Sequence, residues 1–125
     1  MDSEVGYKIY LDDVRAPNPD CGWVVCRTVN EAIQTIELHG LPDQISFDHD
    51  LGEGQADGIE LAKWLIEAHL DAKIDLSIDA FQWTVHSMNP VGRENIICLL
   101  SSFQQYLEET KQTQKGVQNA SETDN

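Results

Sequence analysis

Gln44-Ile45-Ser46-Phe47-Asp48-His49-Asp50 decides how the rest of the chain reads: a short run of strand-forming character stops abruptly in an acid–imidazole–acid cluster. Two other stretches share that grammar. Tyr7-Lys8-Ile9-Tyr10-Leu11 ends in Asp12-Asp13, and Phe81-Gln82-Trp83-Thr84-Val85 ends in His86-Ser87. Runs rich in Ile, Val, Tyr, Phe and Trp that are bounded by turn residues read as strands. In an open parallel sheet, ligands sit in the crevice outside the carboxyl ends of the strands. Three such strands bring Asp12, Asp13, Asp48, His49, Asp50, His86 and Ser87 to one edge, where they build an acidic, imidazole-bearing pocket.

Between these blocks the pattern switches to helix. After the first strand, Pro17 and Pro19 forbid a helix in the link to a second strand candidate, Trp23-Val24-Val25-Cys26. Thr28 with Glu31 three residues later is a capping-box pattern; Ala32, Ile33 and Ile36 follow as a buried stripe, and Gly40 is placed to end the helix. Asp57 is placed to cap the next one, whose face carries Ile59, Ala62, Leu65, Ile66 and His69. Residues 73–79 alternate polar and apolar and fit either an edge strand or an extended loop. Asn89 caps a last helix with Pro90 at its first position, where the missing N–H costs nothing, and Ile96, Leu99, Leu100, Phe103 and Leu107 form its stripe. Residues 1–5 read as frayed. From residue 111 onward no apolar period remains, so residues 1–110 are expected to form one domain and residues 111–125 a disordered polar tail. Strands alternating with helices imply a parallel sheet with helices on its faces. Right-handed crossovers put every strand's carboxyl end on one edge.

Composition narrows the function. The chain has 125 residues and a formal charge of −14, a field that repels nucleic-acid backbones and anionic membranes. Extended DNA or RNA is therefore excluded as a partner, and a small anionic ligand needs local help from a metal ion or from Arg15, Arg27 or Arg93. No stretch resembles a signal peptide or a membrane span, so a cytoplasmic location is expected. Cys21, Cys26 and Cys98 are odd in number and lack zinc-finger spacing, which reads as reduced thiols.

Clustered carboxylates disfavour one another's ionised forms, and a divalent cation offsets that repulsion. Asp12, Asp13, Asp48 and Asp50 are the expected metal ligands, with Mg²⁺ or Mn²⁺ suited to their oxygens. A bound metal polarises a phosphoryl oxygen and lowers the pKa of a water. His49 and His86, on different strands, suit the general base and general acid that opening a cyclic phosphodiester requires. Ser87 joins them in the reacting group. Arg15, just after the first strand-end cluster, and Ser87, Asn89 and Gly92, around the start of the last helix, are placed to hold phosphate oxygens.

Three ordered blocks carry a resemblance. Tyr10-Leu11-Asp12-Asp13-Val14-Arg15-x-Pro17, Ser46-Phe47-Asp48-His49-Asp50-Leu51-Gly52 and His86-Ser87-x-Asn89-Pro90-x-Gly92 resemble the signature blocks of cyclic-phosphate processing receiver-like domains, small bacterial and phage proteins related to two-component receivers. The resemblance spans roughly residues 7–107. It implies a receiver-like three-layer α/β sandwich, a mostly parallel four-to-five-stranded sheet with helices on both faces. It also implies activity on cyclic phosphate groups. The chain departs from signalling receivers in having no room for a helix between the first two strands and no evident fifth strand with its phosphate-sensing lysine. The expected function is a metal-assisted phosphoesterase acting on the cyclic phosphate of a small nucleotide or RNA-derived product. The alternative is a receiver-derived adaptor or nucleotide-sequestering module that uses the same pocket without turnover.

Overall fold

The computed structural model describes residues 6–17 and 22–124, with side chains through residue 111. The expectation for residues 1–5, and the part of the proline loop at 18–21, lie outside the described residues. Within them the order is β1 (Lys8–Leu11), β2 (Trp23–Cys26), α1 (Val29–His39), β3 (Gln44–Phe47), α2 (Gly58–Leu70), β4 (Gln82–Val85) and α3 (Pro90–Asp124). The four strands form one parallel sheet in the order β2-β1-β3-β4. This is the receiver-like α/β arrangement the blocks implied.

Local chemistry sets the boundaries. Thr28 Oγ1 accepts the Glu31 N–H at 3.1 Å, and Asn89 Oδ1 accepts the Gly92 N–H at 3.0 Å, so both predicted caps form. Asp57 occupies the N-cap position of α2, but its side chain makes no cap hydrogen bond. Residues 73–79 form no strand. Turns there are pinned where His69 Nδ1 accepts the Leu76 N–H at 3.0 Å and the Gln104 amide donates to the Leu76 carbonyl at 2.8 Å, which seats Leu76 in the core.

Strand parity splits the sheet into two unlike faces. Leu11, Cys26, Phe47 and Val85 are register partners on one face, with Ile9, Ile45 and Trp83 two residues earlier. They meet Val29, Ala32 and Ile36 of α1, Leu61, Ala62 and Leu65 of α2, and Ile96 and Leu100 of α3 in a single core cluster. Each such fully buried aliphatic or aromatic side chain contributes about 1.5–3 kcal/mol. The other face carries Lys8, Tyr10, Trp23, Gln44, Ser46, Gln82 and Thr84. Among the described residues no helix packs on it. The receiver-like α/β sandwich stands, with its described helices gathered over the apolar face. The reason lies in the β1–β2 link: a crossover leftward from β1 is the one that would place a helix on that face, and Pro17 stands in it.

The α3 backbone continues to Asp124, through the stretch read from the sequence as a polar tail. Propagating a nucleated helix adds one hydrogen bond per residue fixed, and Gln, Lys and Glu lose little side-chain freedom in doing so. The packed turns through Leu107 supply the nucleus. No helix among the described residues is long and apolar enough to cross a membrane. Cys26 and Cys98 are free thiols, as expected; Cys21 lies outside the described residues.

Candidate functional site

The sheet ladder does not stop where the strands do. The Asp12 N–H donates to the Cys26 carbonyl at 3.1 Å, the Asp48 N–H to the Leu11 carbonyl at 3.0 Å, and the His86 N–H to the Phe47 carbonyl at 2.9 Å. Asp12, Asp48 and His86 therefore stand in one row, one step past the register row Leu11, Phe47 and Val85. Alternation turns their side chains to the face without helices. One donor atom from each lies within 4.8 Å of the others.

Asp12 is the hub of the row and is fully buried. Its Oδ1 accepts the backbone N–H groups of Val14 at 2.9 Å and Arg15 at 2.8 Å. Its Oδ2 meets Arg15 Nε at 2.9 Å and His86 Nε2 at 2.9 Å. Burial by itself would raise the Asp12 pKa. The hydrogen bonds from Arg15, Val14 and His86 and the Arg15 charge outweigh it and hold the carboxyl below its usual range. Asp48 goes the other way, pushed up by burial and then by the Asp12 charge, with His86, Arg15 and Ser87 only partly offsetting the rise. Arg15 closes over both acids, its second contact reaching Asp48 Oδ2 at 3.7 Å, and Asp12 raises its already high pKa further. Arg27 braces the loop from beneath by donating to the carbonyls of Asp12 at 3.0 Å and Arg15 at 2.8 Å.

His86 is fixed on three sides. Its Nδ1 pairs with Ser46 Oγ at 2.7 Å, its Nε2 with Asp12, and its ring stacks on Tyr10 with centroids 4.4 Å apart and planes 7° from parallel.

The next residue along each block turns the other way. His49 lies toward the helices, its ring so close to α3 that a Cβ on Gly92 would fall 2.3 Å from its Cγ. Its Nδ1 pairs with Asp50 Oδ1 at 2.9 Å, and the Asn89 amide donates to both Asp50 oxygens at 3.3 and 3.2 Å. Those hydrogen bonds, His49 first and Asn89 second, hold the Asp50 pKa down. His49 Nε2 stands 3.9 Å from Asp57 Oδ2, beyond hydrogen-bond reach. Gly58 lets the start of α2 come equally close, since a Cβ there would lie 2.0 Å from the Asp48 carbonyl oxygen.

Of the four carboxylates read as metal ligands, the structure brings Asp12 and Asp48 together and adds His86 to them. Asp50 belongs to a second group with His49 and Asp57. Asp13 enters neither group among the described residues; its carboxylate faces Gly52, 3.7 Å from where a Cβ would stand. Ser87 is buried, and its hydroxyl accepts the Asn89 N–H at 3.1 Å, so it shapes the β4–α3 turn. Asn89 caps α3 and steadies Asp50, and Gly92 makes room for His49 rather than presenting a side chain of its own.

The sequence reading passed over Tyr10, Ser46 and Thr84 as site residues. Their signal was parity: they stand two positions before Asp12, Asp48 and His86 and so share that face.

The sequence model described as the cyclic-phosphate processing receiver domain matches residues 7–102, the span that holds all three strand-end blocks. The chain belongs to that family. No curated protein matches it. Among solved structures, the chain is similar to one titled as a yeast Spc42 trimeric coiled-coil segment, amino acids 181-211, fused to another structure. The identity is 16% and the TM-score 0.43, covering 94% of this chain and 90% of that one, a likeness too slight to argue from. Asp12, Asp48 and His86 of this cyclic-phosphate processing receiver domain each turn one donor atom toward a common point. The donor set mixes carboxylate oxygen with imidazole nitrogen, and burial first and the Asp12 charge second raise the Asp48 pKa.

Proposed function

We propose that this chain opens the cyclic phosphate of a small nucleotide or of an RNA-derived end, as a metal-assisted phosphoesterase. The observation that carries the reading is the convergence of Asp12, Asp48 and His86 in one register row with the Arg15 guanidinium across it. In a chain of net charge −14, that guanidinium is the local cation an anionic substrate needs. It is 44% exposed and so reaches solvent while holding both acids.

Asp12, Asp48 and His86 are the residues that would hold a divalent ion, Mg²⁺ or Mn²⁺ by their oxygens. When bound, it would polarise a phosphoryl oxygen and acidify a water. Arg15 binds the phosphate oxygens and orients the ring phosphorus, and the N-terminus of α3 adds its partial positive charge at the same edge. His49 carries the proton. Asp50 fixes its Nδ1, which leaves Nε2 to take a proton from the attacking water as the new P–O bond forms. The ring P–O bond then breaks, and the departing ester oxygen takes its proton from solvent. His86, with both ring nitrogens engaged, fits the cation-holding trio better than the role of second proton carrier. Ser87 positions the loop and is not a nucleophile in this scheme.

The test follows phosphorus directly. Purified chain would be incubated with 2′,3′- and 3′,5′-cyclic nucleotides and with RNA ending in a 2′,3′-cyclic phosphate, with Mn²⁺ or with EDTA, and read by ³¹P NMR. A ring-opened monoester in the Mn²⁺ arm, lost in Asp48→Asn, is the expected result. A cyclic nucleotide that binds yet stays intact would overturn turnover in favour of the adaptor reading.

A further inference from the structure

Ser46 is a hydroxyl between Ile45 and Phe47 in β3, 94% shielded on the sheet face that no described helix covers. A buried hydroxyl is costly unless it is hydrogen-bonded, and here its bonds run in a line toward the site. Thr84 Oγ1 donates to Ser46 Oγ at 3.2 Å, Ser46 Oγ lies 2.7 Å from His86 Nδ1, and His86 Nε2 lies 2.9 Å from Asp12 Oδ2. Only one arrangement of hydrogens satisfies all three contacts around a neutral imidazole. Thr84 donates to Ser46, Ser46 donates to Nδ1, and the hydrogen on Nε2 donates to the Asp12 carboxylate.

A cation held by Nε2 requires the other tautomer, with the hydrogen on Nδ1. The same line supports it when reversed: Nδ1–H donates to Ser46 Oγ, and the Ser46 hydroxyl turns to donate to Thr84 Oγ1. No hydrogen bond among Thr84, Ser46 and Nδ1 is lost, because a hydroxyl both gives and accepts. The ring need not move, since Tyr10 holds its plane in either state.

We infer that Ser46 and Thr84 form a reversible hydroxyl relay behind His86 that lets its Nε2 pass from the Asp12 carboxylate to a divalent cation without leaving any relay group unpaired. Ser46 is the positioning residue of that relay, Thr84 its terminus, and Tyr10 the guide for the ring. This rests on the reading of Asp12, Asp48 and His86 as a cation site. The free-protein half of it rests on the hydrogen bonds alone.

The two halves are tested separately. In metal-free protein, long-range ¹⁵N–¹H NMR of the His86 ring reports which nitrogen carries hydrogen. The Nε2–H form should predominate in the wild type and in Ser46→Thr, whereas Ser46→Ala should give a mixed population. Calorimetric titration with Zn²⁺, a diamagnetic probe that accepts imidazole and carboxylate, should show binding weakened about 10–100-fold in Ser46→Ala, the usual effect of losing the group behind a metal-bound histidine. Thr84→Val should show a smaller loss and Ser46→Thr close to none. In the wild type, Zn²⁺ should move the His86 hydrogen to Nδ1. Equal tautomer populations in wild type and Ser46→Ala would overturn the relay, whatever the turnover assay shows. No Zn²⁺ binding to the wild type, with the metal-free tautomer difference between wild type and Ser46→Ala intact, would instead overturn the cation site and leave the relay as a device that holds His86 on Asp12. Should Ser46→Ala not fold, Thr84→Val decides by the same two readouts.

Discussion

The molecule holds two histidine–aspartate pairs built to opposite designs. His86 has both nitrogens engaged, its ring stacked on Tyr10 and its carboxylate partner, Asp12, fully buried. His49 has one nitrogen on an exposed carboxylate, Asp50, and the other facing Asp57 beyond hydrogen-bond reach. Full engagement on both sides suits a group that must stay put. One fixed nitrogen opposite one available nitrogen suits a group that moves a proton, because a third partner selects which nitrogen exchanges. Residue type made the two histidines look alike; the placement of their hydrogen bonds separates them.

The largest expected effects break that comparison directly. His49→Ala should lower turnover of a cyclic phosphate by roughly 10²–10⁴-fold, the usual contribution of a positioned base, with divalent-ion affinity within about twofold of wild type. His86→Ala should lose turnover and ion affinity together. If both variants behave alike in a titration calorimeter, the division of labour is wrong.

Two glycines test how rigidly each pair is held. In Gly58→Ala the new methyl meets the Asp48 backbone, which cannot yield, so unfolding should cost about 1–3 kcal/mol less than in wild type by denaturant titration. In Gly92→Ala the obstacle is a side chain, and the His49 ring can swing aside. Leaving glycine in a helix returns up to about 1 kcal/mol, so stability should change little. Turnover should nevertheless fall at least about tenfold. A Gly92→Ala protein with full activity would show that His49 need not stay where Asp50 holds it.

Within the His86 pair the two acids should respond oppositely to pH. The Asp12 pKa is lowered, so its ionised form contributes stability at neutral pH that is lost as pH falls through the carboxylate range. The Asp48 pKa is raised, so its ionised form costs stability at neutral pH, and that cost is relieved over the same fall. In EDTA at pH 7, Asp12→Asn should lower the melting temperature and Asp48→Asn should raise it. Both differences should shrink toward pH 3. Shifts of the same sign would show that the two carboxylates do not share one field.

The smallest expected effect concerns the end of α3. Removing residues 111–125 should change unfolding free energy by no more than about 0.5 kcal/mol and leave turnover unchanged, because that stretch has no apolar stripe to bury. A larger fall would mean that the helical extension packs on the domain.

The strand-end blocks and the helical stripes between them determined the parallel sheet and the edge on which the site lies, and the capping patterns determined the caps at Thr28 and Asn89. Those features depend on local propensity and on periods of 2 and 3.6 residues, both written in consecutive residues. The sequence also accounts for the absence of a helix among the described residues of the β1–β2 link, since Pro17 stands in it. It did not sort Asp12, Asp13, Asp48 and Asp50 into partners, because carboxylates at one edge look equivalent until register and pleat are known. Only the tertiary structure decided that Asp12, Asp48 and His86 face one side while His49 and Asp50 face α3. It also decided that Ser46 and Thr84 stand behind His86. Which side chains share a face across separate strands is set by inter-strand pairing, and a one-residue slip in register would have exchanged every one of them.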